Sequence, residues 1–201
     1  MNLPTCEQCL GYFTEYKVPQ NIFEHCLKVE QVALFLAKQL QESGTGLDTD
    51  LIARAALLHD LFKPVTFKDP YHDPYFKLTE EQIAMIVRLQ QKYPGKFENE
   101  VAYEIFKDEF PELALFLKQS GDSSARERTL PEMIVHYADY RVHDQKIVSL
   151  GERFAYFRKA YKAPAQFWEN YLAHTQQEEK KLFAQLQFQP EELKEKLEHG
   201  R

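Results

Sequence analysis

Two histidines and two aspartates stand among apolar residues in segments of helical character. His59 and Asp60 follow the apolar run 55–58. On a helix their side chains point about 100° apart, so both can reach one ion near the helix end. His25 and Asp139 lie in two other segments and can supply two more donors. Because an unpaired polar group is costly in apolar surroundings, we expect these side chains to share a partner.

The order of these residues is similar to a known metal-binding signature. His25, then His59-Asp60, then Asp139 resembles the H…HD…D pattern of the HD-domain metal-dependent phosphohydrolase superfamily. Segments 137–141 and 147–154 also resemble the C-terminal part of small bacterial and archaeal HD hydrolases. A His-Asp pair alone is common, so the specificity lies in the ordered quartet. The resemblance implies an all-α, single-domain helical bundle of the HD type.

Two imidazoles and two carboxylates form a ligand set that suits a borderline or hard divalent ion. Mn²⁺, Fe²⁺, Ni²⁺, Co²⁺ and Mg²⁺ are the candidates, and a set without thiolates disfavours structural zinc. The resemblance assigns His25, His59, Asp60 and Asp139 as ligands of one ion per chain. Positions left open in the ion's shell would take a substrate oxygen and a water, which predicts phosphate-ester hydrolysis. Asp60 is also placed to orient or deprotonate that water.

A phosphate group needs cationic partners, and three are candidates. Lys63 matches the lysine of HD-x-x-K versions of the family, where it serves the substrate phosphate; the alternative is a lysine favoured by a helix C-terminus. Arg141 and Arg153 are weaker candidates for substrate binding. Glu98 stands near the position where many HD proteins have a further histidine, a departure that leaves a second ion open; the alternative role is an acid favoured at a helix N-terminus. Three further histidines are possible proton donors, with a structural or exposed role preferred: His72, His136 and His143.

The predicted activity is hydrolysis of a phosphate ester of a nucleotide or another small phosphorylated metabolite, through a metal-activated water. The segment His59–Lys63 lacks the glycine of the HD-GYP cyclic-dinucleotide branch. It also has lysine where the five-prime deoxynucleotidase branch has glutamate, so neither substrate is carried over. A noncatalytic HD-type sensor of a phosphorylated ligand is the alternative, and a helical scaffold whose polar residues satisfy one another is a third. The oligomeric state is left open.

Length and composition fit one domain over residues 1–201. The resemblance covers about residues 19–162, which implies a core there with C-terminal helices at 163–201 packed on it. A net charge of −6 argues against general nucleic-acid binding. No apolar run is long enough to span a membrane, and no secretory signal begins the chain. Three cysteines suit a reducing compartment. We therefore expect a cytoplasmic protein that does not enter membranes.

Capping signals predict where several helices begin. Asn21 followed by Glu24 has the spacing of a capping box, and Asp48 or Thr49 precedes the helix that carries the central motif. Thr79 opens another capping box. No strand pattern of useful length is present. The sequence therefore predicts helices throughout.

Two further segments are predicted less uniquely. Residues 65–78 form an irregular stretch that either covers the site or connects two helices at the surface. A helix from Pro164 to Lys181 carries Phe167, Trp168 and Tyr171, which we expect to belong to the core rather than to a recognition surface.

Overall fold

The computed structural model describes residues 2–72, 76–120 and 127–199. These residues form ten α-helices, two 3-10 helices (Lys63–Thr66 and Pro190–Glu192) and one small β-hairpin (β1, Val142–His143; β2, Lys146–Ile147). The all-α prediction is confirmed. The helices are α1 Cys6–Glu15, α2 Gln20–Glu42, α3 Thr49–Leu58, α4 Glu80–Lys92, α5 Glu98–Phe106, α6 Pro111–Ser120, α7 Leu130–Tyr140, α8 Leu150–Ala160, α9 Ala165–Phe183 and α10 Leu193–His199.

The long helix α2 is the centre of the core and packs against α3 and α7. Small side chains at the contact allow the helix backbones to approach closely, because interaxial distance depends on the side chains between them. Ala33 and Ala37 on α2 and Ala55 and Ala56 on α3 are fully buried. His25 lies on the buried side of α2, one turn before the fully buried Val29.

Most capping predictions agree with the structure. The Asp48 side chain accepts a hydrogen bond from the Leu51 backbone N–H at 2.9 Å, and Thr79 forms a capping box. The predicted start of α2 at Asn21 is wrong. The carbonyl of Pro19 already accepts hydrogen bonds from two backbone N–H groups of the first turn, so the helix begins at Gln20, one residue before Asn21.

The C-terminal helices pack on the rest of the chain. Helix α9 contacts α7 and α8. Leu182 of α9 and Leu193 of α10 are fully buried in the same hydrophobic cluster as the core residues of α2. In the part of the chain that the structure describes, no helix has both the length and the apolar character needed to cross a bilayer.

A two-residue hairpin follows α7 directly. Val142 pairs with Ile147 and His143 with Lys146, and Asp144 in the turn has a φ of 54°. Aspartate tolerates this left-handed region better than most residues. Strands of two residues leave no alternation to read in a sequence, which is why the hairpin was not predicted.

Candidate active site

Three helices bring the predicted ligands together. His25 comes from α2, His59 and Asp60 follow the last residue of α3, and Asp139 is the penultimate residue of α7. His25 Nε2 lies 3.0 Å from Asp139 Oδ1. His59 Nε2 lies 3.6 Å from the same oxygen and 3.7 Å from Asp60 Oδ2. The four side chains therefore form one cluster.

The ring of His59 is held by the end of its own helix. Its Nδ1 lies 2.8 Å from the backbone carbonyl oxygen of Ala56. A carbonyl only accepts hydrogen bonds, so Nδ1 carries the proton and Nε2 of the neutral ring keeps its lone pair. Nε2 is buried and has no hydrogen-bond partner among the described residues. This orientation is the one that metal-binding histidines adopt.

The separations in the cluster fit ligands of one divalent ion. Nitrogen and oxygen ligands bind such ions at about 2.1 Å, so two ligands lie about 3 Å apart at right angles and about 4.2 Å apart on opposite sides. Donor atoms of His25, His59 and Asp60 all lie within 4.8 Å of one another. With Asp139, the donors are two nitrogens and two carboxylates, as hard or borderline ions prefer. The residues present fit a bound ion.

The charges of the cluster depend on one another. Burial raises the pKa of Asp60, but the ammonium of Lys63 and the ring of His59 outweigh it and lower that pKa. Burial acts likewise on Asp139, but the hydrogen bond from His25 and the nearby ring of His59 outweigh it and hold the pKa of Asp139 well below its usual value. Burial opposes a charged His59 ring, yet Asp60 raises the pKa of His59 well above its ordinary value. Both carboxylates are therefore ionised and attract a cation.

Lys63 begins the 3-10 helix after the motif and pairs with the cluster. Its Nζ lies 2.5 Å from Asp60 Oδ2. Burial lowers the pKa of Lys63, but the carboxylates of Asp60 and Asp139 outweigh it, so the side chain stays charged. About a third of the side chain is exposed. Lys63 can therefore contact an anion that enters from solvent.

The cluster lies on a cavity of about 310 Å³. This is within the usual size range of small-molecule sites, about 300–1,000 Å³. Two groups in its lining bear on ligand binding, titratable residues and aromatic residues. The titratable residues that line it include His59, Asp60, Lys63, Glu98, Asp139 and Arg153, and the aromatic ones include Tyr140, Phe157, Tyr161, Phe167, Trp168 and Tyr171.

The two candidate arginines lie in different places. Arg153 lines the cavity; its Nη2 is 4.0 Å from Asp139 Oδ1, and its Nη1 is 3.0 Å from His143 Nδ1. Arg141 is buried away from the cavity, where it donates to the carbonyl of Val148 at 2.6 Å and to the Tyr137 hydroxyl. Its remaining nitrogen donates to the carbonyl of Pro190 at 3.0 Å. We therefore correct the assignment of Arg141: it is a structural residue.

Glu98 is the first residue of α5 and faces the same cavity. Burial and the negative charge of Asp60 raise its pKa. Asp139 lies within 4.0 Å of both ligand histidines, whereas Glu98 forms no such ion pair with a histidine among the described residues. The residue is more than a helix N-terminal acid, but it stands apart from the ligand cluster.

The other histidines have partners of their own. His136 Nδ1 lies 2.6 Å from Glu178, and its Nε2 lies 3.0 Å from the Tyr171 hydroxyl. Exposed His72 pairs with Asp69 at 2.9 Å. His72 belongs to the irregular stretch 65–78, whose described residues do not line the cavity; residues 73–75 lie outside the described part.

The aromatic side of the cavity corrects one sequence prediction. Trp168 is buried, but Phe167 is 47% exposed, and both line the cavity with Tyr171. All three were predicted to be core, which the structure confirms for Trp168, buried with Phe154 and Phe157, and contradicts for Phe167. A helical period places several aromatics on one face, but it does not say whether another element covers that face.

A protein family and two archaeal proteins are similar to this chain. The HD domain family matches residues 22–142. Dihydroneopterin 2',3'-cyclic phosphate phosphodiesterase of Methanocaldococcus jannaschii is 29% identical over 139 residues, 66% of this chain and 49% of that protein. Uncharacterized protein MJ0778 of the same organism is 28% identical over 140 residues, 70% of this chain and 77% of that protein.

The alignment with the phosphodiesterase thus spans about half of that relative's length. No solved structure matches this chain significantly. The family match covers more than half of the chain and contains all four residues of the cluster. This chain belongs to the HD domain family.

Proposed function

We propose that this chain is a metal-dependent phosphohydrolase that hydrolyses a phosphoric ester bond of a nucleotide or another small phosphorylated metabolite. One observation carries the proposal. Donor atoms of His25, His59 and Asp60 lie within 4.8 Å of one another, and Asp139 Oδ1 lies 3.0 Å from His25 Nε2 and 3.6 Å from His59 Nε2. The Nε2 atom of His59 is buried without a hydrogen-bond partner in the described residues. Family membership and the phosphodiesterase relative support the same reaction class.

The four residues of the cluster would hold one divalent ion, with Mn²⁺, Fe²⁺, Ni²⁺, Co²⁺ and Mg²⁺ as candidates. Such an ion acts as a Lewis acid on a phosphoryl oxygen and lowers the pKa of a bound water. The protein's contribution is the fixed orientation of the ligands. The Ala56 carbonyl fixes the ring of His59, and Asp139 fixes the ring of His25.

Two cations at the cavity would bind the phosphate. Lys63 is charged and partly exposed beside Asp60. Arg153 presents its guanidinium near Asp139. An arginine fork matches two phosphate oxygens, whereas a lysine acts as a point charge. Asp60 Oδ2 lies near both His59 and Lys63. At this position its carboxylate can orient the attacking water and accept its proton.

The substrate assay follows from the reaction class and from the name of the relative. The panel contains p-nitrophenyl phosphate, bis(p-nitrophenyl) phosphate, nucleoside 5′-monophosphates and nucleoside 2′,3′-cyclic monophosphates, each with one of the five ions. Hydrolysis by the wild type that stops on adding a chelator is expected. The Asp60→Ala variant should lose at least about 100-fold in kcat/KM, because positioned proton transfer contributes about 10²–10⁴-fold.

Asp69→Ala is the matched control, because Asp69 is an aspartate outside the cavity whose side chain is 56% exposed. It should keep wild-type activity. Binding of these phosphates without turnover under any of the five ions would contradict the enzyme and favour a noncatalytic sensor. A cytoplasmic location and the lack of general nucleic-acid binding stay predictions from sequence.

A further inference from the structure

Five aromatic side chains form one side of the active-site cavity, which we call the aromatic wall: Phe157, Tyr161, Phe167, Trp168 and Tyr171. They come from α8, α9 and the residue that follows α8. All of them lie beyond residue 142, where the match to the HD domain family ends. The wall is therefore a feature of this chain that the family match does not cover.

The rings of the wall support one another. Phe157 and Trp168 stack with centroids 5.5 Å apart and planes at 24°. Phe167 meets Trp168 edge-on at 4.9 Å, and Tyr161 lies 6.2 Å from the same indole. These distances are typical of favourable aromatic pairs. The wall is thus a preassembled surface whose ring orientations are fixed by packing.

Part of the wall faces solvent although it is apolar. Tyr161 is 50% exposed and Phe167 is 47% exposed, while Trp168 behind them is 9% exposed. Single exposed apolar side chains are ordinary, but a contiguous aromatic surface on a cavity marks a binding site. The exposed rings lie in the same cavity as the metal-ligand cluster, so a ligand that enters this cavity can reach both.

Arg153 lies between the aromatic wall and the metal-ligand cluster. Its guanidinium carbon lies 4.5 Å from the centre of the Phe157 ring, and its Nη2 lies 4.0 Å from Asp139 Oδ1. One side chain therefore contacts the aromatic wall and approaches the ligand cluster. A compound with a phosphate beside a planar ring matches this order of groups.

We propose that the aromatic wall binds a planar heteroaromatic ring carried by the phosphorylated substrate, of the size of a nucleobase or a pterin. The proposal rests on the proposed function, because the phosphate fixes which end of the substrate meets the ligand cluster. Aromatic side chains stack on such rings with little dependence on which base or ring it is, because each has a π-face. Compounds with the same phosphate and no ring should bind far more weakly.

Trp168 provides a direct measurement, because it is the single tryptophan of the chain. The probes are guanosine 3′-monophosphate, a neopterin phosphate and ribose 5-phosphate, titrated while tryptophan emission is recorded. Saturable quenching by the nucleotide or by the pterin is expected, and the stronger of the two identifies the source of the ring. Ribose 5-phosphate should leave the emission unchanged.

Tyr161→Ala and Phe167→Ala test the wall at its two exposed positions, where truncation leaves the core intact. Each should raise the Kd of the quenching ligand about tenfold, as expected for loss of one stacking partner. Tyr71→Ala is the matched control, because Tyr71 is 67% exposed and lies outside the cavity. Circular dichroism checks that all three variants are folded.

The titration separates this inference from the proposed function. Ring-dependent quenching that persists in Asp60→Ala supports the wall even if no phosphoester is hydrolysed. Equal response to ribose 5-phosphate, no quenching by either ring, or an unchanged Kd in both wall variants overturns the wall. Hydrolysis of simple phosphoesters would then still support the proposed function.

Discussion

The ring of His59 is oriented by a helix end that lacks partners of its own. The last four carbonyls of a helix accept no hydrogen bond from within the helix, because no helical N–H lies four residues further on. The carbonyl of Ala56 is one of these, and it accepts the Nδ1 proton of His59 at 2.8 Å. One hydrogen bond therefore satisfies the helix end and leaves Nε2 facing Asp60 and Asp139. The position of His59 directly after α3 is what makes this possible.

Asp139 is the residue that both histidines approach, so its charge should decide metal binding. Asp139→Asn keeps the shape and removes the charge, and we expect metal content to fall from about one ion per chain to less than about a tenth. Elemental analysis after Mn²⁺ loading and gel filtration measures this. Asp144→Asn is the control, because Asp144 is exposed in the hairpin turn and asparagine accepts its positive φ. Full occupancy in Asp139→Asn would contradict the ligand set.

Glu98 should act on the cavity without holding the ion. Its carboxylate faces the cavity, and burial raises its pKa, but unlike Asp139 it forms no ion pair with His25 or His59 among the described residues. We expect Glu98→Gln to keep about one Mn²⁺ per chain while kcat/KM changes. Metal content and turnover are measured on the same sample. A loss of metal that parallels the loss in Asp139→Asn would make Glu98 a ligand instead.

The sequence could predict these cluster residues but could not place every cation. The quartet was recognisable from its order and its apolar context. Arg141 was misplaced because it lies two residues beyond Asp139, which on a helix turns its side chain about 200° away from the ligand. Arg153 does reach the cavity from α8. The sequence named both arginines as candidates, and only the packed structure separates the one at the cavity from the buried one.

At the scale of elements, α9 has two different tasks. Its first turns carry Trp168 and Tyr171 to the cavity, and its later turns place Glu178 in the interior. Glu178 is nearly buried and pairs with Arg128 at 3.0 Å and with His136 at 2.6 Å. Burial raises the pKa of Glu178, but the hydrogen bond from His136 and the charge of Arg128 outweigh it, so the carboxylate stays ionised.

Removing Glu178 should weaken the attachment of α9. Glu178→Ala removes one carboxylate from the buried Arg128 and the Nδ1 partner from His136, and breaking a buried ion pair costs about 3–5 kcal/mol. We expect the free energy of unfolding in urea to fall by about 3 kcal/mol. Glu169→Ala on the exposed side of the same helix should change it by less than about 0.5 kcal/mol. Equal effects of the two variants would argue against a buried pair.

Capping signals in the sequence predicted where some helices begin, but not all of them. The caps Asp48 and Thr79 were found because side-chain oxygens at fixed spacing satisfy the first N–H groups. The cap of α2 was predicted two residues too late, at Asn21, because the carbonyl of Pro19 begins the helix. Helix α1 was not predicted, although Thr5 and Gln8 form a capping box that signals its start.

At the scale of the whole molecule, the cluster joins parts of the chain that are distant in sequence. His25 and Asp139 are 114 residues apart, and their contact forms only when α2 packs against α7. Fully buried alanines between α2 and α3 allow the third contributor to approach. The hydrophobic core thus assembles the site, where the unpartnered Nε2 of His59 lies 3.7 Å from Asp60 Oδ2 and 3.6 Å from Asp139 Oδ1.

A divalent ion should therefore stabilise the entire fold, since the unfolded chain cannot keep three distant segments in one place. An ion present at about 100 times its Kd stabilises the folded state by about 2.7 kcal/mol. For a chain of this size 1 kcal/mol raises Tm by about 2–4 °C, so Mn²⁺ should raise Tm by about 5–10 °C over a chelator-treated sample. Scanning calorimetry measures both states.

Asp139→Asn should show no such rise, while its Tm in chelator stays close to that of the treated wild type. Asp144→Asn should rise as the wild type does. An equal rise in Asp139→Asn would mean that the ion stabilises the protein from a surface site. A wild type that binds no ion and shows no rise would leave the four side chains as partners of one another, because their hydrogen bonds alone would then account for the cluster.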